Sequence, residues 1–169
     1  MNAAGALDMN AYREHATFYR AALLLGVLRG ERVIAWADAA LGGDPSAPAA
    51  FSDIASTPAA DLTLLRQNLL LLASEKESRA VVGALVDLIH RDLASGRRSF
   101  GDTMTVLKQL RAFVAVGASM NDALKTLGVD VAMNAPGTRQ RADAEERVRA
   151  WLRQHEAHAQ PFLEPGSEQ

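Results

Sequence analysis

The sequence predicts an all-α protein, a compact bundle of about six to eight helices with a charged C-terminal helix, on three observations. Helix-start signals recur at Thr57-Pro58, Ser74-Glu75-Lys76-Glu77, Ser99-Phe100-Gly101-Asp102 and Ser119-Met120-Asn121-Asp122, each leading into an alanine- and leucine-rich run. Apolar residues recur at steps of three and four, the spacing of one helix face. Hydrophobic residues make up 49% of the chain but aromatic ones only 5%. Leu, Ala, Val and Met must therefore fill the core, which suits helices better than a sandwich or barrel rich in β-branched and aromatic residues.

Residues 1–8 read as a flexible lead. Met9, Tyr12, Ala16, Tyr19, Leu23 and Val27 then mark the face of a first helix that Gly26 and Gly30 end. A second helix runs from Glu31 to Leu41, with Trp36 in its apolar face and Asp38 outside, and Gly42-Gly43-Asp44-Pro45 stops it. A short helix follows over Ala49 to Ala55. Thr57 is expected to cap the fourth, with Pro58 at its first position, where the missing N–H costs nothing. Its stripe of Leu62, Leu65, Leu69 and Leu72, widened by Leu64, Leu70 and Leu71, predicts burial on much of its circumference.

Ser74 and Glu77 have the spacing of a capping box for a fifth helix ending near Ser95-Gly96, with Val81, Val82, Leu85, Leu88, Ile89 and Leu93 inward. Ser99 begins a sixth, with Met104, Leu107, Leu110, Phe113 and Val114 inward, and Gly117 closes it. A short seventh, Met120 to Leu127, stops at Gly128. After Ala135-Pro136-Gly137 the segment Thr138 to His158 is charged and reads as an appendage, with one docking stripe of Val148, Trp151 and Leu152. The domain reading is thus a lead (1–8), a helical domain (9–135), a charged C-terminal helix (136–160) and a disordered, removable tail (161–169).

With 169 residues the chain suits one domain with its own core. The balance of 18 basic and 20 acidic residues, net −2, offers no general attraction for nucleic acid or an anionic membrane. No cysteine is present, so thiolate metal sites, disulfides and cysteine nucleophiles are excluded. The amino end has no basic stretch before an apolar run, and Ala21 to Leu28 is far short of the roughly 20 residues of a membrane span. The expected location is cytoplasmic, with neither nucleic acid nor membrane as partner.

Candidate chemistry is sparse. His155 and His158 share a helix face, yet two ligands are too few for a metal site. His90-Arg91-Asp92 are neighbours on a helix, about 100° apart, and read as a solvated rim. His15 beside Glu14 reads as a surface or core histidine, and Tyr12 with Tyr19 as core. No serine sits in a strand-to-helix elbow. Asn121 to Val129 has the pattern of the first helix and turn of a helix-turn-helix, but Asp130 to Ala135 holds no Arg, Lys or Gln to read bases. No catalytic, cofactor-binding or metal residue is expected.

The stretch Glu31-Arg32-Val33-Ile34-Ala35-Trp36-Ala37-Asp38-Ala39-Ala40-Leu41, with Phe51-Ser52-Asp53-Ile54-Ala55 after a proline-containing loop, resembles a module of small all-helical bacterial proteins. Some of these look like immunity proteins of polymorphic toxin systems. The resemblance implies a stoichiometric binder that blocks a toxin by occupying it, and carries over no individual functional residue. The resulting expectation is a non-catalytic protein acting by protein–protein binding, immunity-like or adaptor-like. Its expected partner surface is the acidic rim of Glu31, Asp38, Asp53 and Asp61, which suits a basic partner such as a nuclease toxin. The alternative is a small-molecule-binding or enzymatic helical domain with its site between the first, second and fourth helices. A DNA-binding regulator would need a basic face that the sequence does not provide.

Overall fold

The computed structural model describes residues 9–44 and 46–163, and over these the chain forms helices and no strand. The expected lead, 1–8, and positions 164–169 of the expected tail lie outside the described residues. The helices are α1 (Met9–Leu24), α2 (Gly30–Gly43), α3 (Ala49–Ala55), α4 (Leu62–Leu70), α5 (Arg79–Ala94), α6 (Phe100–Phe113), α7 (Ala118–Met133), α8 (Arg139–Arg153) and α9 (Gln160–Leu163).

The axis of the bundle is α5. Every residue from Val81 to Ile89 is buried, which a helix with one apolar face cannot achieve and which requires neighbours all round. α1, α6 and α8 pack on it; α2 to α4 extend the α1 side, while α7 bridges α6 and α8. Trp36 is core, 7% exposed. Its ring lies 5.0 Å from those of Tyr19 and Phe51 and 6.3 Å from Tyr12, distances at which edge and face contacts are favourable.

Ser99 caps α6 as its spacing predicts, its hydroxyl accepting from the Asp102 amide at 3.1 Å. Two other expected caps are displaced. Asp61, not Thr57, caps α4, accepting from the Leu64 amide at 3.0 Å. Thr57 is occupied elsewhere: its hydroxyl donates to the Asp53 carbonyl at 2.7 Å and accepts from the Asn68 amide at 3.0 Å. Ser78, not Ser74, caps α5, accepting from the Val81 amide at 3.2 Å. The Ser74 amide donates to Thr17 Oγ1 and Glu77 accepts from the Ala115 amide, so distant partners replace the expected local box.

Other expectations are corrected by packing. α7 passes straight through Gly128 to Met133, so no helix-turn-helix turn exists there; Gly117, at φ +81°, is the entry to α7. α4 buries only Leu65 and Leu69, leaving Leu62, Leu64 and Leu70 exposed, because α1 and α3 cover a single side of it. The charged segment is no appendage. Ala144, Val148 and Leu152 are fully buried against the bundle, and α8 packs on α5 and α7. Four of its five arginines are engaged too, Arg141 and Arg149 with Glu145, Arg147 with Asp130 and Arg153 with Glu146.

The expected disordered tail begins with a docked turn. Phe162 is 5% exposed and stacks on Phe18 with ring centres 4.7 Å apart. Tyr19 donates its hydroxyl to the Phe162 carbonyl at 2.7 Å. Upstream, the chain reverses at Ala157, which takes φ +69°, and the Ala159 amide donates to the buried carboxylate of Asp87 at 2.8 Å.

Candidate functional site

The four acids expected to meet a partner are all exposed, but two have local duties. Asp61 is the cap of α4, and Glu31 lies in the first turn of α2, where a carboxylate complements the helix dipole. Asp38 lies two turns further along the same face of α2 as Glu31, roughly 10 Å away along the axis. Asp53 contributes its backbone carbonyl to the α3–α4 junction, accepting from Thr57 and Asn68. Half-buried Ile34 lies between Glu31 and Asp38 on α2 and packs inward. The rim therefore has charge but no exposed aromatic or large aliphatic anchor on α2.

The other singled-out residues are tied into structure. Arg91 turns back to Asp87 in a two-pronged contact at 3.1 and 3.2 Å, and Asp92 pairs with Arg97 and Arg98. The ring nitrogens of His15 face the carbonyls of Ala11 and Pro161, and its ring stacks near Trp36. His155 and His158 lie edge to face, 5.5 Å between centres. Burial holds the His155 pKa below its ordinary 6.5, with the Trp151 carbonyl and Asp87 opposing and His158 adding to the effect. Among the described residues no group of three His, Cys, Asp or Glu side chains could hold a metal ion.

Where α1 and α2 meet, in the region of the alternative ligand site expected between the first, second and fourth helices, the rings of Tyr12, Tyr19 and Trp36 pack together with Phe51 of α3. Two concavities lie at the surface. One, of about 580 Å³, opens between α5, the start of α7 and the end of α8, and is lined by Arg79, Val82, Met120, Trp151 and His155 among others. No carboxylate lines it to orient the histidine.

A second groove, of about 320 Å³, lies between α1, α4 and the end of α6. On α4 its wall is Thr63, Arg66, Gln67 and Leu70, the i, i+3, i+4, i+7 positions of one helix face. α1 contributes Arg20, Ala21 and Leu24, and Phe113 closes the end from α6. Its large apolar residues are open to solvent: Leu24 is 41% exposed, Leu70 54% and Phe113 63%. Leu71, beside Leu70, is 70% exposed. Neither Arg20 nor Arg66 is in an ion pair among the described residues. Glu77, the acid in the lining, is bonded to the Ala115 amide at 3.1 Å.

Sequence reasoning placed Leu70, Leu71 and Phe113 in the core. Leu70 and Leu71 fall outside the stripe of Leu65, Leu69 and Leu72, and that offset was the available signal. Phe113 is the last residue of α6, where no neighbouring element reaches far enough to cover it. No family model, curated protein or solved structure matches the chain. Among the described residues no helix is long and apolar enough to cross a membrane.

Proposed function

We propose that this protein is a non-catalytic binder that captures another protein stoichiometrically, in the manner of an immunity or adaptor protein, on the α1–α4–α6 groove. The observation that carries this reading is the clustering of Leu24, Leu70 and Phe113, all open to solvent, along one groove. Contiguous exposed apolar surface with a polar rim is the pattern of a protein interface, and an aromatic anchor within it supplies most of the affinity. The partner surface thus moves from the acidic rim expected from the sequence to this groove. Acids without an anchor steer association and set orientation more than they set affinity.

Small-molecule binding is the second reading, favoured by the size of the groove at Trp151 and His155, which lies within the range of ligand sites. A photoreactive phenylalanine analogue at position 113, compared with one at exposed Lys108 on the same helix, separates the two. The protein-binding reading expects a single polypeptide trapped in one-to-one ratio from position 113 and not from 108. Leu70→Asp should abolish the adduct while leaving the melting temperature unchanged. Equal labelling from both positions, or no trapped polypeptide with a small molecule retained through purification, overturns it.

A further inference from the structure

The groove has a charge pattern that names its occupant. Arg20 on α1 and Arg66 on α4 stand on opposite walls, and Arg66 follows Thr63 and precedes Leu70 on the stripe that α4 turns to the groove. Ala21, beside Arg20 on α1, also lines the groove and is small and 4% exposed, while Leu24 and Leu70 are open to solvent. A cleft with apolar sides and a cation on each wall fits a ridge of large apolar side chains flanked by carboxylates.

Resting on the protein-binding reading above, we propose that the occupant is an acidic amphipathic helix of the partner protein. Its apolar ridge lies between Leu24, Leu70 and Phe113, and its flanking Glu or Asp side chains meet Arg20 and Arg66. Glu77, also in the lining, accepts from the Ala115 amide and keeps its charge, so the lining carries two cations against one anion. A basic helix in the same groove would bring like charges against two guanidinium groups that are in no ion pair among the described residues, a juxtaposition that costs affinity. An anionic lipid surface shares the carboxylate's charge. It would also have to approach a chain of net charge −2 whose Glu31, Asp38, Asp53 and Asp61 are all exposed.

The test uses the intact protein and two labelled helical peptides that share a leucine ridge at i, i+3, i+4, i+7. One carries Glu at every flanking position and the other Lys; vesicles containing phosphatidylserine form a third arm. Fluorescence anisotropy should show the Glu peptide binding at least about tenfold more tightly than the Lys peptide, with the difference shrinking as salt is raised. Leu70→Asp should abolish binding of both peptides. Arg20→Glu with Arg66→Glu should reverse the preference, with circular dichroism confirming that the variant folds. No preference, no binding of either peptide, a preference that survives the charge swap, or retention on the vesicles overturns the proposal. If position 113 still traps a polypeptide in any of those cases, the acidic-helix inference falls alone and protein binding stands; if it traps none, both fall.

Discussion

At the scale of single residues, the most consequential group is one that no motif announces. Asp87 is fully buried in the middle of α5, accepting from the Ala159 amide and from Arg91. A buried carboxylate is tolerated only when its lone pairs are used, and removing it strands the donors that used them. Asp87→Ala should therefore cost about 3 kcal/mol in urea unfolding, and Asp87→Asn less, since an amide oxygen can still accept from Ala159. Equal costs for the two variants would show that the carboxylate's bond to Ala159 is not what matters. Tyr19 gives a second prediction. Burial pushes its pKa from 10.0 up to about 12, with the Arg32 guanidinium drawing it partly back. The folded value is the higher one, so the unfolded chain loses its proton first. The stability contributed is intact below pH 10.0 and falls as pH rises through about 12. The full loss is about 3 kcal/mol. Tyr19→Phe should remove this alkaline decline while costing about 1 kcal/mol at neutral pH, where the Phe162 carbonyl loses its donor. Urea unfolding on either side of pH 10.0 checks it, and an unchanged slope would contradict it.

At the scale of elements, what decides is whether a local signal meets a distant competitor. The lengths of α2 and α3 are close to those that apolar spacing and glycine breaks predict and Ser99 caps α6 where it should, whereas α5 starts four residues later than the Ser74 signal and α6 ends at Phe113, short of Gly117. Ser74 and Thr57 are equally good caps by sequence, but the Ser74 amide that Glu77 would bond in a capping box is taken by Thr17, and the Thr57 hydroxyl is taken by Asp53. Thr17 lies 57 residues away, beyond any local window; Asp53 is only four residues back, and there Thr57 closes the end of α3 through the i−4 carbonyl instead of opening α4. The groove was hidden for a related reason: periodicity gives the direction in which Leu70 and Phe113 point but not whether another helix arrives to cover them. The end of the chain shows the reverse, since Pro161-Phe162-Leu163 has the composition of a tail, yet Phe162 finds Phe18. Truncation after Gln160 removes that ring and the acceptor of Tyr19 together. It should lower the melting temperature by roughly 10 °C, from a loss of about 3–5 kcal/mol spread over a chain of this size. A truncated protein that melts with the full chain would mean that the Phe18–Phe162 contact contributes nothing.

At the scale of the whole molecule, the two tryptophans sit in different parts of one continuous core. Trp36 is packed among the aromatic rings of α1, α2 and α3, while Trp151 is half-buried on α8 with its ring 4.9 Å from His155. A charged C-terminal appendage would release Trp151 before Trp36, because an element held only by surface ion pairs has little to keep it in place. The packing predicts otherwise. α8 presses Ala144, Val148 and Leu152 into the cluster that also holds Phe18, Leu85 and Ile89. The segment after it is fastened twice more, at Asp87 and at Tyr19, to the two helices at the heart of the bundle. Opening α8 therefore uncovers buried surface of α5 and strains the segment that ties α5 to α1 through Asp87 and Tyr19, and a partly opened state gains no stable remainder. Single-tryptophan variants, Trp151→Phe reporting on Trp36 and Trp36→Phe reporting on Trp151, should each show fluorescence unfolding at the urea midpoint that far-UV circular dichroism gives for that same variant. Leu152→Ala should lower the midpoint reported by Trp36 as much as the one reported by circular dichroism, at a cost of about 2–5 kcal/mol. A Trp151 transition that precedes the loss of helix would instead make α8 a separate, weaker unit, with a docking groove built on α1, α4 and α6 that stands without it.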